Sequence, residues 1–399
     1  MAQISKRSID LGTENAFVVL AEVNDLMRKG KDIISFCIGQ PDFQSPKNVQ
    51  EAGIKAIREG KHGYTPSSGI PELREAICEY IWKTRGIKID PVDVVVGAGA
   101  KPFIMYSILA TTDHGHGHEV IYPNPGFPIY ESQIRAMGAT PVPVNLHQAN
   151  NFSIDAKELK SKINNQTRLL ILNSPHNPTG AIIPKSDMGE IVEVLKQFPD
   201  CWIYADEIYS QLCYDNDFVS ITGFSDIKER VILTDGVSKT WAMTGWRLGF
   251  AVNSELAPIF SKWVTNTDSC ASHISQWAAV EAISGVQIET EEMKRSFQKR
   301  RNLIVDLINE VPGIKCLMPG GAFYIWPDVT QACGLIGASD SEEFRKRLLD
   351  DVGVAVLADI HFGARTSEKE QHIRFSYAAS IHDIEEGIRR ISRYVESFK

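Results

Sequence analysis

What this chain lacks narrows its class. No run of about 18 apolar residues is present to span a bilayer, and the opening Met1-Ala2-Gln3-Ile4-Ser5-Lys6-Arg7 leads into no apolar signal region. Both absences point away from a membrane and toward the cytoplasm. The seven cysteines, at 37, 78, 201, 213, 270, 316 and 333, are odd in number and form no CxxC pair, so reduced thiols are expected rather than a disulfide framework. Positive charge is also in deficit. The net charge of −8 argues against nucleic acid as a bulk partner. No repeat, low-complexity tract, flexible linker or additional basic module interrupts the sequence. The turn Val96-Gly97-Ala98-Gly99-Ala100-Lys101-Pro102 lacks the third glycine of a dinucleotide fingerprint and the GK[ST] ending of a P-loop.

What is present is an ordinary globular composition, 43% hydrophobic and 23% charged, in a 399-residue chain long enough for two domains. Six short apolar runs read as strands: Val94 to Val96, Val120 to Tyr122, Leu169 to Leu172, Trp202 to Ala205, Val231 to Leu233 and Phe250 to Val252. They alternate poorly between apolar and polar, which predicts burial on both faces in a mostly parallel sheet. Helical patterns lie between them, such as Leu73, Ala76, Ile77, Tyr80 and Ile81 closed by Gly86. From about residue 285 the pattern changes, with a long amphipathic helix through Met293, Phe297, Ile304, Leu307 and Ile308 and a last one through Ile384, Ile388, Ile391 and Val395. The expected architecture is α/β. A large domain spans 46–285, and a smaller α+β domain is built from 1–45 and 286–399.

Lys239 is the candidate reactive group. It follows the strand Val231 to Leu233 on glycine-punctuated backbone, Gly236-Val237-Ser238-Lys239-Thr240, with Arg247 eight positions on. A lysine held there, partly desolvated and near another cation, can lose its proton near neutral pH and attack a carbonyl, and Arg247 is suited to gripping phosphate. In isolation such a lysine would read as a solvated surface residue. Its surroundings decide otherwise: Gly39-Gln40-Pro41-Asp42-Phe43, Tyr64 with Gly69 and Leu73-Arg74, Asn173-Ser174-Pro175-His176-Asn177-Pro178-Thr179-Gly180, Ala205-Asp206-Glu207-Ile208-Tyr209 and Arg374-Phe375-Ser376-Tyr377-Ala378. With the lysine segment, these resemble the class I and II aminotransferases of fold type I, in the family's order and over most of the chain.

The resemblance implies pyridoxal 5′-phosphate as cofactor, a seven-stranded type of sheet, and Lys239 as its attachment point. It places Asp206 against the protonated ring nitrogen, Tyr209 and Asn177 on the phenolic oxygen, and Phe127 on the ring face. Gly99, Ala100, Lys101 and Arg247 would hold the phosphate. Tyr64 would reach the phosphate of a neighbouring subunit, so a homodimer is implied. Arg374 and Gly39 would bind the substrate α-carboxylate, with Asn177 beside them. Local readings of single residues stay open here: Asp206 as a helix cap, Phe127 as core, Arg374 as a surface ion pair. The strand pattern Ile373, Phe375, Tyr377 suggests one buried face, leaving Arg374 on the other.

The expected reaction is ping-pong transfer of an amino group from an L-amino acid to a 2-oxo acid, 2-oxoglutarate by family likeness, with Lys239 moving the Cα proton. A C–S β-lyase, cyclase or decarboxylase would use the same residues. A DNA-binding cofactor sensor lacks its extra module here, and an NAD oxidoreductase lacks its glycine fingerprint. Two departures from the family concern His114-Gly115-His116-Gly117-His118, read as a solvated loop without a carboxylate cluster, and Asp359-Ile360-His361-Phe362-Gly363. Lys262 and Asp268 lie on the expected partner-facing stretch and favour opposite substrate charges.

Overall fold

A seven-stranded sheet forms the centre of the computed structural model, which describes residues 3–9, 11–215, 217–365, 367 and 370–399. Its strands are β1 (Val94–Gly97), β2 (Glu119–Asn124), β3 (Thr140–Asn145), β4 (Thr167–Asn173), β5 (Trp202–Asp206), β6 (Val231–Gly236) and β7 (Gly249–Val252). The spatial order is β1-β7-β6-β5-β4-β2-β3. Only β7 runs antiparallel to its neighbours; the other pairings are parallel. β1, β6 and β7 are buried at every position, as their unbroken apolar runs predict when helices cover both faces.

β3 was not legible in the sequence. Its segment Thr140-Pro141-Val142-Pro143-Val144-Asn145 carries two prolines, which remove ladder donors and read against a strand. It lies at the sheet edge, paired only with β2, where a missing donor is tolerated. The helix expected through Leu73 and Ile81 runs Pro71–Arg85, opened by proline at its first turn and closed by Gly86 at φ +70°.

The HGHGH turn is the expected solvated loop from His114 to Gly117, all exposed, and departs from it only at its last residue. His118 is buried, and its Nδ1 accepts a hydrogen bond from the Asp113 backbone N–H at 2.9 Å. Asp113 also supplies the carboxylate that the sequence reading missed, since ligand atoms of Asp113, His116 and His118 lie within 4.8 Å of one another.

Beyond β7 the chain forms a second, smaller assembly. Leu357–Ala358, Ile373–Ser376 and Tyr324–Ile325 make a three-stranded antiparallel sheet. The helices Ile288–Glu310 and Ile381–Glu396 share its core, where Phe297, Ile304 and Ile308 meet Ile384, Ile388, Ile391 and Val395. Ile34–Ser35 pairs in parallel with Val354–Ala355, which ties the early chain to this assembly. Ile373–Ser376 is buried at all four positions, so the half-exposed strand expected there is corrected: Arg374 points into protein, not toward solvent.

A buried ionic cluster fixes the sheet ends on which the site is built. Arg85, with no side-chain exposure, bonds Glu207 Oε2 at 2.7 Å and Asp235 Oδ2 at 2.6 Å. Tyr80 and Ser210 donate to the same Asp235 oxygen, and Asp235 Oδ1 accepts from the Gly236 N–H. Glu207 directly follows β5 and Asp235 is the penultimate residue of β6, so the guanidinium ties the two strand ends together. Burial raises the carboxyl pKa of both acids, with the Arg85 charge opposing it. Arg85→Met should strand two carboxylates in the interior and lower stability by about 3–5 kcal/mol, read as a lower urea midpoint. An unchanged midpoint would show that the cluster contributes nothing.

Candidate active site

A cavity of about 500 Å³ opens at the carboxyl ends of β4, β5 and β6. Open α/β sheets place their ligands there, because strand ends and helix N-termini converge with their polar groups free. Asn173 ends β4, Asp206 ends β5, and Lys239 lies three residues beyond β6 in the short helix Val237–Thr240.

Lys239 Nζ donates to the Gly39 carbonyl at 2.6 Å and lies 5.9 Å from the ring centroids of Tyr209 and Phe323. Lys239 is half-buried and lines the cavity, with protein packed closely around the amine. Burial is the main cause that brings its pKa down to about 8. Glu14 opposes this shift, whereas Lys101, Arg374 and Arg247 add to it. Near pH 8 the amine is therefore half free, the condition for attack on an aldehyde. Gly39 is required by close approach: a Cβ there would stand 2.1 Å from the Tyr324 hydroxyl oxygen. The structure thus gives the Gly39 carbonyl to Lys239.

Asp206 is buried and faces the cavity floor. Tyr130 donates to its Oδ2 at 2.6 Å, and the Ile208 N–H makes a longer 3.4 Å contact to Oδ1. Burial raises the Asp206 pKa to about 6, with the Tyr130 bond pulling it down. A carboxylate so enclosed gains from a cationic partner, such as a protonated ring nitrogen. Tyr209 shares a 2.7 Å hydrogen bond with Tyr324, and burial raises both phenol pKa values. Asn177 is held by its own N–H on Asn173 Oδ1 at 2.9 Å, and its Oδ1 accepts from Arg374 Nη1 at 2.9 Å. Arg374 also donates to the Cys37 carbonyl and lies over the rings of Tyr324 and Phe362. Its Nε is buried with no hydrogen-bond partner among the described residues.

At the other end of the cavity, Ala100 is the N-cap of the helix Lys101–Thr111, where the Lys101 N–H is free while Pro102 has none and the Phe103 N–H bonds the Ala100 carbonyl. Arg247, at φ +52°, bonds the Thr244 carbonyl at 2.9 Å and the Ala98 carbonyl at 3.3 Å. Gly99 makes room for it, since a Cβ there would lie 2.3 Å from Arg247 Nη2. A helix N-terminus beside a guanidinium with a glycine-sized gap could cradle a phosphate. Phe127 lines the same cavity. This donor set, with the lowered amine and the enclosed carboxylate, fits pyridoxal phosphate.

Other expected residues fall elsewhere. Tyr64 is 89% exposed and does not line the cavity. Lys262 and Asp268 are exposed and outside it as well. Three residues were missed by the sequence reading: Tyr130, Tyr324 and Glu14. Tyr130 stands three residues beyond Phe127, on the first turn of its helix, and that spacing was the one signal available. Tyr324 and Glu14 come from segments distant in sequence, with no local pattern to mark them.

The family model for "Aminotransferase class I and II" matches residues 31–391. Among curated proteins, an asparagine–oxo-acid transaminase of Streptococcus mutans is 37% identical, over 99% of this chain and all of that one. An aspartate aminotransferase of Bacillus sp. (strain YM-2) is 34% identical, over 98% of this chain and 99% of that one. The crystal structure of an aspartate aminotransferase from Rhizobium meliloti superposes with a TM-score of 0.93 at 32% identity, covering 99% of each chain. Full-length similarity of sequence and fold, over a cavity with this donor set, places the chain in the class I and II aminotransferases: it is a pyridoxal-phosphate-dependent enzyme that transfers amino groups between amino acids and oxo acids.

Proposed function

We propose that Lys239 both anchors the cofactor and moves the substrate's Cα proton, in a ping-pong exchange of an amino group between an L-amino acid and a 2-oxo acid. The observation that carries this is one amine with its pKa lowered to about 8, in the cavity shared by Asp206 and Arg374. When bound, pyridoxal phosphate supplies an aldehyde carbon and an electron-poor ring that weakens the bonds to Cα. The chain's own residues do the rest. Asp206 keeps the ring nitrogen protonated, held in place by Tyr130. Tyr209 and Asn177 bond the phenolic oxygen, while Phe127 stacks on the ring, a contact of roughly 0.5–1.5 kcal/mol beyond area burial. The backbone of Gly99 and Ala100, with Lys101 and Arg247, neutralises the phosphate. Arg374, aided by Gly39, would take the substrate's α-carboxylate and so orient its Cα–H toward Lys239.

The fine points of this reading reach further. Tyr64 serves the phosphate site of a second copy, in a homodimer; its 89% exposure in the single chain supports that. The domain division at 46 and 285 is supported by the seven-stranded sheet within those limits and the three-stranded sheet beyond them. No described helix is long and apolar enough to cross a membrane; with the reduced-thiol pattern, this favours the cytoplasm. Donors of the aspartate and asparagine type are suggested by the relatives' names. The acceptor 2-oxoglutarate rests on likeness alone, and because one cavity serves both halves, its second carboxylate must suit the same residues as the donor's side chain.

Three outcomes follow. Adding an amino acid without acceptor should convert the lysine-bound cofactor band and release one 2-oxo acid per site; Lys239→Ala should abolish both the band and turnover, and retention of either would remove Lys239. The rate of cofactor capture by apoenzyme should fall about tenfold per pH unit below about 8 and level off above it, because only the unprotonated amine attacks; a flat profile would contradict the lowered pKa. Arg374→Ala should lower kcat/KM for amino acids by at least about a hundredfold, chiefly through KM, the size of one buried charged hydrogen-bond pair. An unchanged kcat/KM would take it out of the site.

A further inference from the structure

Of the three tyrosines that line the cavity among the described residues, Tyr324 alone has no part in the chemistry so far. It stands in the three-stranded sheet of the smaller assembly, whereas Tyr209 follows β5 of the seven-stranded sheet. Their hydroxyl oxygens meet at 2.7 Å, with the ring centroids 5.7 Å apart and edge to face. Neither hydroxyl makes another hydrogen bond among the described residues. Phe323 also packs edge-on against Tyr209, at 5.5 Å, which leaves that ring little freedom. The Tyr324 ring lies 4.6 Å from the Arg374 guanidinium. Gly39 leaves its hydroxyl room, since a Cβ there would stand 2.1 Å from the oxygen. The bond therefore ties Tyr209 to the same small sheet that carries Arg374.

Which hydroxyl donates follows from the charges around the pair. Burial raises both phenol pKa values, that of Tyr209 well above its ordinary value. The Arg374 charge opposes the rise, and its guanidinium lies directly over the Tyr324 ring. Glu14 works the other way at Tyr324, and Asp206 at Tyr209. The Lys239 amine stands 5.9 Å from the Tyr209 ring centroid. Tyr324 is left the stronger acid of the two, and in a pair of neutral hydroxyls the stronger acid donates. Tyr209 then accepts on a lone pair and keeps its own proton for another acceptor.

Resting on the reading that Tyr209 bonds the cofactor's phenolic oxygen, we propose that Tyr324 is a positioning residue for that bond: its hydroxyl donates to Tyr209, turns the Tyr209 proton toward the cavity and strengthens it as a donor. Hydrogen bonds in a chain polarise one another, each by roughly 10–30%. A stronger Tyr209 donor draws negative charge away from the phenolic oxygen. That oxygen then holds less firmly the proton it shares with the Lys239 nitrogen, so the proton leaves at lower pH. The ring of Tyr324 would pack equally well without its hydroxyl, which makes the hydroxyl the part that acts.

The test is a pH titration of the lysine-bound cofactor band in the holoenzyme, for wild type, Tyr324→Phe, Tyr209→Phe and the double variant. The midpoint is read from the ratio of the two limiting bands, so partial loading with cofactor does not move it. Tyr324→Phe keeps the ring that packs against Phe323 and Arg374 and removes only the hydroxyl. It should raise the midpoint by about half a pH unit, a threefold change in proton affinity. The double variant should match Tyr209→Phe, because the effect runs through Tyr209. A lower midpoint in Tyr324→Phe would mean that Tyr324 competes with the cofactor for the Tyr209 proton. An unmoved midpoint, or shifts that add in the double variant, would mean that the Tyr324 hydroxyl does not act through Tyr209. Each of these, with Tyr209→Phe itself raising the midpoint, overturns this proposal alone. A midpoint unmoved by Tyr209→Phe would overturn the placement of Tyr209 on the phenolic oxygen, and the proposal with it.

Discussion

Everything at the site depends on keeping one amine out of water. An ammonium group loses far more by burial than a neutral amine does, so enclosure moves Lys239 toward its reactive form without any strong base beside it. The enclosure itself is a matter of packing. Gly39, Tyr324, Tyr209 and Phe323 close around the side chain, and the Gly39 backbone reaches the amine only because no Cβ stands between it and the Tyr324 hydroxyl. Of the neighbouring cations, Lys101 already has Glu14 as its partner, whereas Arg374 and Arg247 would each demand a counter-charge of their own. A phosphate and a carboxylate bound in the cavity would supply it.

The sheet makes this arrangement rigid. Three parallel strands end at nearly the same level, which delivers Asn173, Asp206 and the Lys239 turn to one rim. Behind the rim, Arg85 spans Glu207 and Asp235, so the residues flanking Asp206 and preceding the lysine turn are locked by charged hydrogen bonds. Such a cluster is costly to bury and is weak support for stability as such. Its value here lies in geometry, since displacement of either strand end would move a group that must meet the cofactor ring.

Charge balance at the mouth differs from charge balance at the floor. At the floor, Asp206, Arg374 and Arg247 have no ion-pair partner among the described residues, so a ligand carrying complementary charges would satisfy them. At the mouth, Glu14 and Lys101 already satisfy each other.

Much of this was readable in the chain. Six of the seven strands announced themselves as apolar runs, because a strand buried on both faces has no room for polar alternation. Lys239, Asp206, Asn177 and Arg247 could be picked out because each lies at a strand end or glycine-marked turn within a dense motif. β3 was hidden by Pro141 and Pro143, whose cost vanishes at an unpaired edge. Arg374 was recognised, but its setting was misread: alternation in a four-residue strand cannot reveal that a second layer covers the other face. The Tyr130–Asp206 bond, the Tyr209–Tyr324 pair and the Glu14–Lys101 pair join residues 76, 115 and 87 positions apart. The sequence alone determined which elements form and which residue types carry the chemistry, since local pattern and turn chemistry act over a few positions. Which side chains meet, how far the amine is desolvated and which substrate groups find a free partner were decided only by the tertiary structure, because burial and charge pairing depend on neighbours that the linear order does not place together.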